Sequence, residues 1–165
     1  MKNIRILLSF YLLFILNCGL YFSSRPGAKE YYELNAVSGT DNTASIRKFS
    51  SYPIEKQIDI YLFANCCTEG GGSGIYLSID GEKKIPNIVK RIETSSDIRD
   101  KVALIAVLFS INKECKCMKK HSEFIKSLEK QEENFSTENI PADDNFTESY
   151  RKYYSDYLKD IKVQP

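Results

Sequence analysis

Five thiols and one imidazole carry most of the reactive chemistry available to this chain. Cys66 and Cys67 are adjacent, Cys115 and Cys117 are one residue apart, His121 follows four positions later, and Cys18 stands alone near the start. Thiolate and imidazole are ligands that zinc prefers, yet no Cys-x-x-Cys occurs and adjacent cysteines join one tetrahedron awkwardly, so no metal is expected. Cys117 and His121 would share a face of a continuous helix, the arrangement of a sulfur nucleophile and its base. Their setting, Lys119–Lys120–His121, reads as a solvated face, and no catalytic residue is assigned. Glu55 and Asp59, one helical turn apart, likewise read as surface charges; a deep polar pocket gathering two such acids would point to an enzyme instead. The run Gly70–Gly71–Gly72–Ser73–Gly74 lacks the Gly-Lys-Ser/Thr of a phosphate loop and reads as a connector. No cofactor is expected.

The compartment decides how the cysteines are used. Lys2 and Arg5 precede residues 6–16, an almost wholly apolar stretch. About eleven such residues behind a basic start form a secretory h-region, well short of the roughly 20 that span a bilayer as a helix. The run closes with Ile15–Leu16–Asn17–Cys18–Gly19. That ending resembles the lipobox of bacterial lipoproteins, in which the cysteine after the h-region is acylated and becomes the new N-terminus. Leu16 and Asn17 stand where that pattern usually has small residues, so a conventionally cleaved secreted protein and an uncleaved anchor remain the alternatives. The resemblance implies a signal peptide over residues 1–17, a lipid such as palmitate on Cys18, a lipid anchor and flexible tether over 18–27, and a place in a bacterial envelope, periplasmic or surface-facing. The four other cysteines are then expected to form disulfides, because oxidising compartments make and keep them. Neighbouring cysteines are expected to pair poorly with each other. Bridges between the two clusters are therefore predicted, closing a loop of about 50 residues worth about 2–4 kcal/mol. Free thiols and a metal site are the alternatives.

About 148 of the 165 residues would remain after processing, the size of one ordinary domain, placed at 28–165. The formal charge of +1 falls to about −1 without Lys2 and Arg5, leaving no field to gather nucleic acid. Trp is absent, and 11 Tyr and 9 Phe supply the aromatic area.

Apolar spacing predicts an all-α fold. Short helices are expected over 28–37 and around Ile46 and Phe49, and Pro53 should open a longer helix through about residue 65 along Ile58, Tyr61 and Leu62. A short helix over 75–79 is expected next, ended by Asp80–Gly81. Pro86 then opens a helical hairpin: Ile85, Ile88, Val89 and Ile92 form one stripe, and Val102, Ile105 and Phe109 form another, joined at Thr94–Ser95–Ser96–Asp97. The second helix should be central, with Lys101 one step off its buried stripe. A buried strand over 102–109 is the alternative. A partly exposed helix is predicted over 114–130 and a charged loop over 131–145. Tyr150, Tyr153, Tyr154 and Tyr157 recur at helical spacing in the last segment, which should dock by that face. Tyrosine also anchors interfaces, so these four are the partner-binding candidates.

Residues 85–111 resemble a single HEAT-type helical unit, with Pro86 in the first helix, Asp97 in the turn and Arg99, Val102 and Ala103 early in the second. In that family the Asp and Arg hold neighbouring units together. The similarity covers about 27 residues, and no second clean copy occurs, whereas a solenoid needs at least about three. Residues 51–111 also resemble small exported bacterial proteins of unknown function with a HEAT-like core, which implies a fold and no chemistry. The expectation is a lipid-anchored helical scaffold or binding module at a bacterial envelope, held to the membrane by its lipid and meeting a protein partner. An exported enzyme of unknown class and a secreted soluble effector are the alternatives.

Overall fold

A computed structural model of the chain describes residues 24–38, 42–67, 73–137 and 145–163. The proposed signal peptide, Cys18 and residues 68–72 of the glycine connector lie outside them. The described residues are all-helical, with no strand. The elements are α1 (Ala28–Ser38), α2 (Asn42–Ser51), α3 (Ile54–Cys67), α4 (Ser73–Ser78), a 3-10 turn (Gly81–Lys84), α5 (Ile85–Thr94), α6 (Ile98–Cys115), a second 3-10 turn (Met118–Lys120), α7 (Ser122–Thr137) and α8 (Asn145–Val163).

Local chemistry sets the boundaries. Pro53 precedes α3 and its carbonyl accepts from the Gln57 amide at 3.0 Å, while Glu55 places an acid in the first turn. Pro86 lies in the first turn of α5, where its missing N–H costs nothing. Asp97 caps α6: its backbone is extended and its Oδ1 accepts from the Arg99 amide at 2.9 Å. At the far end Lys116 turns left-handed, with φ 52°, and its amide donates to the Asn112 carbonyl at 2.8 Å.

Helix α6 is the axis of the molecule. Residues 101–105 are buried all round, and Leu104, Ile105, Leu108 and Ile111 are in its core. Such a helix must be covered on several sides. It is covered most extensively by α8, and also by α5, α4 and α3. The 102–109 run is thus a helix, and the strand alternative is excluded. Tyr61 of α3 donates its hydroxyl to the Ala103 carbonyl at 3.0 Å. Buried Asn112 ties three pieces together: it donates to the Ile161 carbonyl of α8 at 3.4 Å and accepts from the Met118 amide at 3.0 Å.

Four expectations need correction. The helix predicted over 114–130 is interrupted, because α6 stops at Cys115 and α7 starts only at Ser122. The loop predicted from 131 is helical through Thr137. There Leu128, Gln131 and Phe135 form one buried stripe, but its middle member is polar and broke the apolar pattern. Gln131 is buried because it accepts from Lys101 at 2.8 Å, so Lys101 is itself in the interior, with its ammonium over the Phe135 ring. The fourth concerns the tether. Its last residue is docked: Gly27 is buried against the backbone of Asp59 and Ile60, while Ser24 and Pro26 are exposed.

Candidate functional site: a charged cleft beside a vicinal disulfide

Three residues of α3 at helical spacing, Asp59, Phe63 and Cys66, form one wall of a cleft of about 250 Å³. Arg91 of α5 and the start of α6, with Asp97 and Asp100, supply the facing wall, and Arg25 reaches in from the turn before α1. That turn depends on Gly27. Its φ is +83°, and an added Cβ would sit 2.4 Å from the Asp59 carbonyl, so only glycine lets the segment lie this close to α3.

The charges in the cleft are mostly paired. Asp59 forms an ion pair with Arg91. Asp97 is gripped by Arg99, with Nε at 2.9 Å and Nη2 at 2.5 Å, and these hydrogen bonds hold its carboxyl below the usual range. Asp100 moves the other way: burial raises its pKa, only partly offset by the Ser95 hydroxyl, which donates at 3.3 Å. Asp59 is therefore a cleft residue, a correction to its reading as a surface charge. Glu55 stays on the exposed side, accepting from Asn87 at 3.0 Å. The cleft gathers three acids, but two are committed to guanidinium partners and no pair of carboxylates is left sharing a proton.

Cys66 and Cys67 form one disulfide and Cys115 and Cys117 another, so the cysteines pair within their clusters and the predicted bridges between clusters are overturned. The reason is the length of α6. Cys66 shares the cleft with Asp97 and Asp100 at its beginning, whereas Cys115 is its last residue. At 1.5 Å per residue these ends are about 26 Å apart, against the roughly 4–7 Å between Cα atoms that a disulfide spans. The energetic consequence is large. A 50-residue loop would withhold about 4 kcal/mol of chain entropy from the unfolded state, while a ring of two or three residues withholds between about 1 and 2. Arg25 contacts the first pair directly, its Nη1 lying 2.9 Å from Cys66 Sγ and 3.4 Å from Cys67 Sγ.

Cys117 and His121 do not share a helix face, because the helix ends before them. Cys117 is buried and bonded to Cys115, while His121 stacks on Phe124 with ring centroids 5.3 Å apart. A second cleft, of about 470 Å³, holds Cys115 and His121 beside Asp80, Glu82 and Glu114. Sulfurs tied in disulfides are not thiolate ligands, and among the described residues no three His, Cys, Asp or Glu side chains converge on a metal position.

The tyrosine candidates divide. Tyr154 is fully buried, donating to the Leu128 carbonyl at 3.2 Å and meeting Phe135 edge-on, so it is core. Tyr157 packs on Phe109 and is half-buried, as is Tyr150, while Tyr153 is 55% exposed. Of the four, Tyr153 is the side chain a partner would reach. Asp59, Phe63 and Cys66 fall at helical spacing, but the helix was expected to end near residue 65 and so did not reach Cys66, and nothing local announced Arg25, which lies 41 residues from Cys66.

Among the described residues no helix is long and apolar enough to cross a membrane. No family model matches the chain, and no curated protein or solved structure matches it either.

Proposed function

We propose that this chain is an exported bacterial lipoprotein whose helical portion serves as a scaffold or binding module at the envelope. The observation that carries the reading is the division of its cysteines. Four of the five are closed into two local disulfides, which leaves Cys18, at the end of the h-region, as the one thiol outside them. Local disulfides suit an oxidising compartment, and a single remaining cysteine behind an apolar run suits acylation. Gly27 follows Cys18 by only nine positions and is packed on α3, so a lipid at Cys18 would hold the charged cleft close to the membrane surface.

The finer fold reading belongs here too. The pair α5 and α6, with Pro86 in the first helix and Asp97 capping the second, is read as one HEAT-like unit. Asp97 and Arg99 bond each other within that unit. This leaves the module as a single hairpin inside a compact bundle, and the partner is a protein meeting the outer surface near Tyr153.

The test is direct. In cells fed labelled palmitate the parent chain should take up label and sediment with membranes, and Cys18→Ser should do neither. Continued labelling of Cys18→Ser would refute the anchor, and an unlabelled parent recovered from the medium would make the protein a secreted soluble effector. Cross-linking in intact cells through a photoreactive residue at Tyr153 should capture a discrete protein partner.

A further inference from the structure

The ring formed by Cys66 and Cys67 joins residues already joined by a peptide bond, so it closes the shortest loop a disulfide can and restrains little of the chain. Its position is suited to chemistry. Cys66 is exposed, ends on the rim of the charged cleft, and has Arg25 Nη1 at 2.9 Å, with Cys67 Sγ only 3.4 Å from the same nitrogen. A cation at a disulfide favours whichever sulfur must leave as an anion. The C-terminal end of α3 does the opposite, because the helix dipole presents negative charge to a thiolate there. Arg25 supplies the countercharge that this helix end lacks, and Gly27 is what brings Arg25 over it.

We propose that Cys66–Cys67 is a thiol–disulfide exchange site for small thiol compounds, with Arg25 stabilising the thiolate that exchange releases. In the reducing direction an incoming thiolate bonds to Cys67 Sγ, and the S–S electron pair leaves on Cys66 Sγ, the sulfur nearer Arg25. A second thiolate attacks the small-molecule sulfur of that mixed disulfide and expels Cys67 as its thiolate. The protons of the two thiols end on Cys66 and Cys67, so one protein disulfide is reduced and one small disulfide is formed; the reverse sequence oxidises two thiols. The cleft of about 250 Å³ is lined by Cys66 and by Arg25, so the thiolate released on Cys66 faces it beside its countercharge. The site does not depend on the lipid, and its test separates from that of the anchor.

Oxidised full-length protein is incubated with 2-mercaptoethanol, quenched with iodoacetamide at intervals and digested with trypsin. Cleavage after Lys56 and Lys83 leaves Cys66 and Cys67 together in one peptide, apart from Cys115 and Cys117. That peptide should gain two alkyl groups, and its opening should be about tenfold slower in Arg25→Ala, with Arg25→Lys recovering most of the rate because it keeps the charge. Arg25→Gln, which keeps hydrogen-bonding capacity without charge, should be as slow as Arg25→Ala and stands in for it if the alanine variant loses helical circular dichroism. Opening of Cys115–Cys117 should be unchanged in every variant. Equal Cys66–Cys67 rates in parent and folded Arg25→Gln, an equal slowing at both disulfides, or two free thiols at Cys66 and Cys67 in protein blocked at lysis, would each overturn the proposal.

Discussion

Lys101 shows how a buried cation is accommodated. Its ammonium donates to Gln131 at 2.8 Å and lies 4.9 Å from the Phe135 ring centroid, so the interior meets it with an oxygen and a π face. Lys101→Asp replaces this with a carboxylate facing the Gln131 oxygen and should cost about 3–5 kcal/mol, comparable with Ile105→Asp in the core. Lys101→Met keeps the stem's packing and should cost far less. Urea midpoints of the three variants check the order, and a Lys101→Asp protein as stable as its parent would refute the buried assignment. Tyr61 gives a pH dependence. Burial pushes its phenol from the ordinary 10.0 up to about 12. The folded state then holds this proton more tightly than the unfolded chain, so its contribution is complete below pH 10 and is lost as pH rises towards 12. Chemical denaturation across that window should show falling stability, with a shallower fall in Tyr61→Phe.

At the scale of elements, α6 depends on a defined start as well as on burial. Asp97 satisfies the Arg99 amide and also holds the Arg99 guanidinium, so one side chain both caps the helix and fixes the charge beside it. Asp97→Ala should cost about 1 kcal/mol, and Asp97→Asn, which still caps, should cost less. Thermal melts resolve the difference. The cap also has a pH signature. The Asp97 carboxyl titrates below its ordinary value, so its contribution is present above that value and is lost as pH falls through the lowered one; Asp97→Asn should remove this acid sensitivity. Helix α8 contributes through burial instead. Tyr154, Leu158 and Ile161 are all at most 1% exposed along its inner face, and they are what make α6 a central helix rather than a surface one.

For the whole molecule, the covalent frame is local and the stability must come from packing. Neither disulfide ties distant helices together, since each closes within three residues of chain. Replacing Cys66 and Cys67 together by alanine should therefore lower the unfolding free energy by only about 1 kcal/mol, against the roughly 4 kcal/mol expected of a bridge between the clusters. A loss near the larger figure, or peptide mapping that joined Cys66 or Cys67 to Cys115 or Cys117, would show the pairing to be wrong. The same frame explains why the cleft can carry exchange chemistry, because opening a two-residue ring beside it leaves the buried contacts of α6 untouched.

The sequence by itself determined what is settled within a few residues. Pro53, Pro86 and Asp97 marked helix starts, and the Val102, Ile105 and Phe109 spacing marked the central helix, because capping and the 3.6-residue repeat act over one or two turns. It also placed the tyrosines on a docking helix. Tertiary structure alone decided which of them is core, that Lys101 and Gln131 belong inside, that the cysteine clusters lie at opposite ends of α6, and that Arg25 meets Cys66. Each of these turns on which elements meet across 26 to 42 residues of chain, as with Tyr154 on Leu128 or Arg25 on Cys67. A buried polar pair satisfies itself across such a gap, and neither partner's neighbours in sequence carry a trace of the other.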